Sequence, residues 1–209
     1  MIFYDCPTAP SPRRARILLN EKNVPHTTVN IDLMNGEQLG DEYRKINPGC
    51  TVPALKVDDT TILTQNAGIA AYLESEYPEI PMLGRTSAEK AQIASWTSKI
   101  EFDGLMAIAE ALRNSVPQMK GRALPGNENY AQIPELAERG LARVGVFFDT
   151  LDAHLEGREF VATDEFSNAD ITAVVGIDFA RVVRIKPSEQ HANILRWRTA
   201  LAERPSLNL

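Results

Sequence analysis

Only two side chains in this sequence carry a thiol, and their spacing narrows the choice of chemistry quickly. The two cysteines, Cys6 and Cys50, form no CxxC pair, which argues against a dithiol oxidoreductase of the thioredoxin type. A cysteine becomes a strong nucleophile where a helix N-terminus stabilises its thiolate. Cys6 lies too near the end of the first strand for that and reads as a bystander thiol. His26, His154 and His191 are scattered, with no spacing that would build a metal site or a catalytic dyad. Ser11 stands in CPTAPSPRRAR just before a helix and next to Pro12, where a serine by itself reads as a good N-cap. Arg13, Arg14 and Arg16 crowd the same short helix as a basic face.

The elements that must position these groups follow from apolar runs and their breakers. Ile2-Phe3-Tyr4 reads as a strand, broken where Pro7, Pro10 and Pro12 remove amide donors. The run RRARILLNEK predicts a helix over 13–22, with Pro12 at the first helical position. TTVNI alternates like a second strand, and 37–46 reads as a short helix stopped by Asn47-Pro48-Gly49. Apolar runs at 54–57 and 61–63 flank Asp58-Asp59 as a hairpin would, and QNAGIAAYLESEY is a helix ended by Pro78. The order β-α-β-α-β-β-α allows a parallel βαβ unit with an antiparallel hairpin added to the same sheet. Residues 79–86, with Pro81 and Gly84, predict a linker between an α/β domain over 1–78 and a second domain over 87–209.

Beyond the linker the periodicity is helical. Ile93, Trp96, Ile100, Ala107 and Ala111 predict one long helix to about residue 114. Leu141, Val144, Phe148, Leu151 and Leu155 form the seam of another, and MKGRALPGNENY between them reads as a loop. Ser167-Asn168-Ala169-Asp170 has the form of a capping box, with Phe166 and Ile171 as its hydrophobic staple. A last helix is predicted over 190–204, stopped by Pro205.

Composition sets the class. With 209 residues, 44% hydrophobic and 24% charged, the chain can bury a substantial core. A formal net charge of -6 argues against a nucleic-acid partner. The N-terminus lacks the pattern of a signal peptide, and no apolar run approaches the ~18 residues of a membrane span.

Taken in order, CPTAPSPRRAR, NPGCTVPAL, LTQNAGIAAYLESEYP, FSNADIT and RWRTALAERPS resemble the glutathione-transferase superfamily over nearly the whole chain. The resemblance implies a thioredoxin-like N-terminal domain, an all-helical C-terminal domain, glutathione as co-substrate, no metal, a homodimer and a cytoplasmic location. Partners would be glutathione and a small electrophile or disulfide, with no nucleic acid and no membrane. A non-catalytic binding or regulatory protein of the same fold is the alternative.

Site roles follow from the same resemblance. Ser11 would face the glutathione sulfur, because a hydrogen-bond donor beside a positive helix end favours thiolate over thiol. Thr8 is a secondary donor, whereas Tyr4, inside the strand, packs. Cys6 does not take the place of the cysteine nucleophile found in omega-like relatives, which Ala9 occupies here. Pro53 would be cis, although by itself it reads as an ordinary trans proline opening a strand. Val52 would offer its backbone to the cysteinyl unit, with Thr51 and Cys50 nearby. Gln65-Asn66 stands where relatives carry Glu-Ser or Gln-Ser. Gln65 would meet the γ-glutamyl ammonium, and Asn66 would cap the helix and meet the carboxylate. The electrophile site would be lined by Phe102, Asp103, Met106 and Glu110, with Arg113 just beyond.

Overall fold

The computed structural model describes residues 1–208, which divide into two compact units. The first comprises Met1–Ile80 together with Leu124–Asn129. The second runs from Pro81 onward without that segment.

The first unit is a four-stranded sheet in the order β2-β1-β3-β4. Strand β1 (Ile2–Asp5) is central: it pairs parallel with β2 (Thr27–Asn30) and antiparallel with β3 (Ala54–Lys56). Helix α1 (Pro10–Glu21) makes the crossover between the parallel pair, as parallel strands require. Strand β4 (Ile62–Leu63) closes the hairpin with β3, and the Asp58 carboxylate holds its turn by accepting from the amides of Thr60 and Thr61, each at 2.8 Å. Because β1 is central, Phe3, Tyr4 and Asp5 are buried; β2 is an edge, and all four of its residues are exposed. Of the TTVNI alternation only Ile31, just past the end of β2, is buried.

The helix expected over 37–46 is two pieces, a 3-10 turn at Glu37–Leu39 and α2 (Asp41–Arg44). Gly40 between them is extended, at φ -75 and ψ 156, which interrupts the ladder. Helix α3 (Asn66–Glu76) buries Ile69, Ala70 and Leu73 and packs on α1. Lys22 ties the two together. Its side chain is fully buried and donates to Glu74 Oε2 at 2.8 Å, Tyr77 O at 2.8 Å and Ile80 O at 2.5 Å.

In the second unit, α4 (Ser87–Ile100), a π-helical turn (Glu101–Leu105) and α5 (Met106–Ser115) follow without a break. The single long helix expected here thus contains one wider turn, which shifts the register of everything after it. Helix α6 (Pro134–His154) packs against α5, and α7 (Asn168–Phe179) is buried from Ala169 to Ile177. Helix α8 (Ala192–Ala200) is shorter at both ends than the 190–204 pattern suggested. Of the expected α6 seam, Val144, Phe148, Leu151 and Leu155 are buried, but Leu141 is 42% exposed. The capping box at α7 forms as read. The Ser167 hydroxyl accepts from the Ala169 amide at 3.3 Å, and Asp170 Oδ2 accepts from the Ser167 amide at 3.0 Å.

Close approach explains two glycines. A Cβ on Gly140 would stand 2.6 Å from Ala107 O and 2.7 Å from Ala111 N, both rigid backbone. A Cβ on Gly145, in the same helix, would meet nothing within 4 Å. Gly140→Ala is therefore expected to lose about 2 kcal/mol through overpacking. Gly145→Ala should gain about 0.5–1 kcal/mol of helix propensity. Urea unfolding of the two variants side by side checks the contrast; equal behaviour would mean that α5 and α6 do not touch there.

Candidate functional site

Three loops of the first unit carry the residues singled out in the sequence. The first joins β1 to α1. Asp5 is buried at the strand end, where its Oδ1 accepts from the Cys6 amide at 2.7 Å and its Oδ2 lies 3.5 Å from Arg16 Nε. Burial pushes its carboxyl up from the usual range, and the Arg16 charge opposes that shift. The Ala9 amide closes the turn by donating to Cys6 O at 3.0 Å. Cys6 is buried, with Sγ 3.5 Å from Thr8 Oγ1, and Thr8 itself is exposed.

Helix α1 starts earlier than the sequence suggested. Pro10, rather than Pro12, takes the first helical position, and Ala9 is the N-cap, with no side-chain bond. Ser11 consequently lies inside the first turn. Its hydroxyl is not used as a cap.

The second loop runs from Asn47 to Pro53 and is held from within. Thr51 O accepts from the Tyr43 hydroxyl at 2.7 Å and from Asn47 Nδ2 at 2.7 Å. Asn47 Nδ2 also reaches Thr51 Oγ1 at 3.1 Å, and Asn47 Oδ1 accepts from the Gly49 amide at 2.9 Å. Burial pushes the Tyr43 phenol well above its ordinary value, which keeps it a proton donor. Cys50 adopts a left-handed conformation at φ 54, its buried Sγ 3.6 Å from Pro48 O. The Val52-Pro53 bond is cis, as the resemblance implied. Gly126, from the inserted segment, lies beside this loop: a Cβ there would stand 3.7 Å from Gly49 O.

The third loop enters α3. Gln65 is the N-cap residue, extended and exposed, with no cap bond from its side chain. Asn66 occupies the first helical position and does not cap. Its Nδ2 donates to Ser11 Oγ at 2.9 Å and to Ser11 O at 3.1 Å. The amides of Asn66, Ala67 and Gly68 begin the helix, where no carbonyl of the ladder can serve them. A Cβ on Gly68 would meet nothing within 4 Å, so the face of the helix at that residue is open.

The residues expected to line an electrophile pocket lie on the π-helical turn and α5. Phe102 and Met106 are exposed, at 66% and 45%. The two carboxylates are engaged by cations. Asp103 pairs with Lys99 at 2.9 Å and Arg143 at 3.7 Å, and Glu110 pairs with Arg139 at 3.0 Å and Arg143 at 3.2 Å. Arg143 was not singled out from sequence, yet it organises this region. It also donates to Phe102 O at 2.5 Å and lies over the Phe102 ring, 4.7 Å from its centroid. Arg113 is partly buried and donates to Arg122 O at 2.8 Å; burial lowers its pKa.

The remaining candidates have structural partners. Tyr4 packs edge-on against Tyr43 at 6.0 Å. His26 sits on Phe3, His154 stacks on Trp96 at 3.8 Å, and His191 lies 3.2 Å from Asp149. Among the described residues no three of His, Cys, Asp and Glu gather as metal ligands, and no helix is long and apolar enough to cross a membrane.

Known proteins match this arrangement along the whole chain. Residues 8–76 match the model of the glutathione S-transferase N-terminal domain, and residues 115–205 match that of the C-terminal domain. Glutathione S-transferase 2 of Saccharomyces cerevisiae is 32% identical, over 99% of this chain and 88% of the relative. The crystal structure of Gtt2 from Saccharomyces cerevisiae superposes with a TM-score of 0.89 at 31% identity, covering 100% of this chain and 99% of that one. A glutathione S-transferase domain-containing protein of Marinobacter aquaeolei also gives 0.89, at 30% identity, over 99% and 100% of the two chains. With both domain models matched in order and a relative above 30% identity along its length, this chain belongs to the glutathione S-transferase superfamily.

Proposed function

We propose that the protein is a glutathione transferase, which binds reduced glutathione and activates its thiol for conjugation to a small electrophile or exchange with a disulfide. The observation that carries this reading is the Ser11 hydroxyl, inside the first turn of α1 and beside the start of α3. A donor at a positive helix end favours thiolate over thiol. The thiol proton leaves to solvent. The thiolate then attacks a carbon or disulfide sulfur that expels a leaving group with the bonding electron pair. With an enone it adds instead, the displaced π pair moving onto the carbonyl oxygen before solvent protonates the α-carbon.

The other residues take complementary roles in this reading. The amides opening α3 at Asn66 and Ala67 meet the γ-glutamyl carboxylate, and the Gln65 side chain accepts from its ammonium. The Val52 backbone, presented beside cis Pro53, pairs with the cysteinyl unit, while Thr8 and Thr51 flank it. Exposed Phe102 and Met106 offer apolar surface to the electrophile. Asp103 and Glu110 are held in ion pairs by Lys99, Arg139 and Arg143, so their carboxylates are not left free to repel an electron-rich substrate. The proposal includes a homodimer acting in the cytoplasm; the free thiols of Cys6 and Cys50 fit a reducing compartment.

Calorimetric titration with reduced glutathione at neutral pH tests the reading. Binding in the micromolar to low millimolar range is expected, together with a mass-detected conjugate from a panel of aryl halides, enones and disulfides. Ser11→Ala should keep most of the binding and lose about 10²-fold in kcat. No heat and no thermal shift with glutathione would sink the proposal in favour of a non-catalytic binding protein.

A further inference from the structure

We infer that Asn66 is a positioning residue for Ser11, holding its hydroxyl so that the proton of that group points at the ligand thiol. This rests on the glutathione-transferase reading above.

The geometry begins with which end of the carboxamide faces α1. Ser11 O is a backbone carbonyl and can only accept, so the group 3.1 Å from it must be the Asn66 NH2. That fixes the amide orientation without appeal to the rest of the network. The same nitrogen lies 2.9 Å from Ser11 Oγ, so its second hydrogen points into a lone pair of the hydroxyl. Both hydrogens of the Asn66 amide are then engaged by one residue.

The consequence falls on Ser11. A serine hydroxyl has one hydrogen to give and two lone pairs to fill. Inside a helix it usually donates backwards to a carbonyl three or four residues earlier, which would remove it from any ligand. Ser11 is only the second residue of α1, and among the described residues its Oγ makes no bond back to the Pro7 or Thr8 carbonyl. Among the described residues the hydrogen bond made by Ser11 Oγ is the one it accepts from Asn66. Its own hydrogen therefore remains to be donated, and donation into the oxygen strengthens the outgoing O–H as a donor. The link also joins the first turn of α1 to the first turn of α3, so the hydroxyl and the amides at the start of α3 are held in one frame.

A role for Asn66 follows that a capping serine could not fill in the same way. Its side chain addresses the thiol partner, and the anionic end of the ligand falls to the backbone amides of Asn66 and Ala67. Aspartate at this position would reverse the bond. Its carboxylate would repel Ser11 O and accept the hydroxyl proton, leaving the thiolate without its donor.

The test is the ionisation of bound glutathione, read as thiolate ultraviolet absorbance against pH. The proteins are wild type, Asn66→Ala, Asn66→Asp, Ser11→Ala and the double variant Ser11→Ala/Asn66→Ala, each saturated with glutathione as judged by calorimetry. Asn66→Ala is expected to raise the apparent pKa of the bound thiol by about one unit, a tenfold change in ionisation. Asn66→Asp should raise it at least as far. In the Ser11→Ala background the Asn66→Ala change should add nothing. A purely structural role would shift glutathione affinity and melting temperature equally in both backgrounds and leave the thiol pKa alone. An unchanged pKa in Asn66→Ala, or shifts that add independently of Ser11, would overturn this inference alone. Absence of any bound thiolate in the wild type would overturn the transferase reading and this inference with it.

Discussion

Asp170→Ala is expected to cost the fold about 4 kcal/mol and to lower the melting temperature by roughly 10 °C. The carboxylate is fully buried and serves three donors. Its Oδ1 accepts from the Val161 amide at 2.8 Å, and its Oδ2 accepts from the Ser167 amide and the Ser167 hydroxyl, each at 3.0 Å. The buried indole Nε1 of Trp197 lacks a hydrogen bond of good geometry but also favours the charge. Removing the carboxylate strands these donors in the interior, where each unmade bond costs about 1–3 kcal/mol. Urea unfolding followed by far-ultraviolet circular dichroism measures the loss. A cost below about 1 kcal/mol would mean that water reaches the cavity and replaces the acceptor.

The same group gives the stability a pH signature. Burial pushes the Asp170 carboxyl up to about 6, and the bonds from Val161 and Ser167 only partly offset that. A carboxyl whose pKa is raised in the folded state binds protons there first. Its contribution to stability is therefore greatest below about pH 4 and is lost as pH rises through about 6. Other carboxylates move the other way: the exposed Asp32 and Asp58 are lowered by their turn hydrogen bonds. Comparison with Asp170→Asn removes those common contributions. The stability difference between wild type and Asp170→Asn should grow on acidification from pH 7 to pH 4.5 and stay flat between pH 7 and pH 8.

Lys22→Met is the second large expected loss, about 3 kcal/mol. The buried ammonium places its three hydrogens on Glu74 Oε2, Tyr77 O and Ile80 O, and its removal leaves a poorly solvated carboxylate and two carbonyls behind. Glu74 is 17% exposed, so solvent recovers part of that loss and keeps the figure at the lower end for a broken buried pair. The double variant Lys22→Met/Glu74→Gln should be more stable than the sum of its single changes implies, by about 1 kcal/mol or more. Strict additivity in urea would show that the lysine acts through the two carbonyls alone.

How far the sequence announces all this depends on distance along the chain. The strand and helix order of the first unit is punctuated by prolines and by Asn47-Pro48-Gly49, so it is readable locally. The Ser167–Asp170 box is readable for the same reason, since its bonds close within three residues. The start of α1 is not, because Pro10 and Pro12 both suit a first helical position, and only the folded backbone chooses. The partners Lys22 and Glu74 are fifty-two positions apart, and Arg143 and Glu110 are thirty-three apart. No periodicity links them. The π-helical turn is equally hidden, since EFDGL is composed like the helix around it. The pairing of Ser11 with Asn66 was legible only as two separate residues, each read as a cap, and tertiary contact gave both another partner.

The excursion of Leu124–Asn129 into the first unit bears on how this gene could be recombined. A crossover at the Ile80 to Pro81 boundary would look neutral, yet it would separate Gly49 from the Gly126 backbone that lies beside it. Chimeras with a relative should therefore exchange two pieces of coding sequence, the first eighty codons and the short stretch around 124–129, for a transplanted first half to keep its native surroundings.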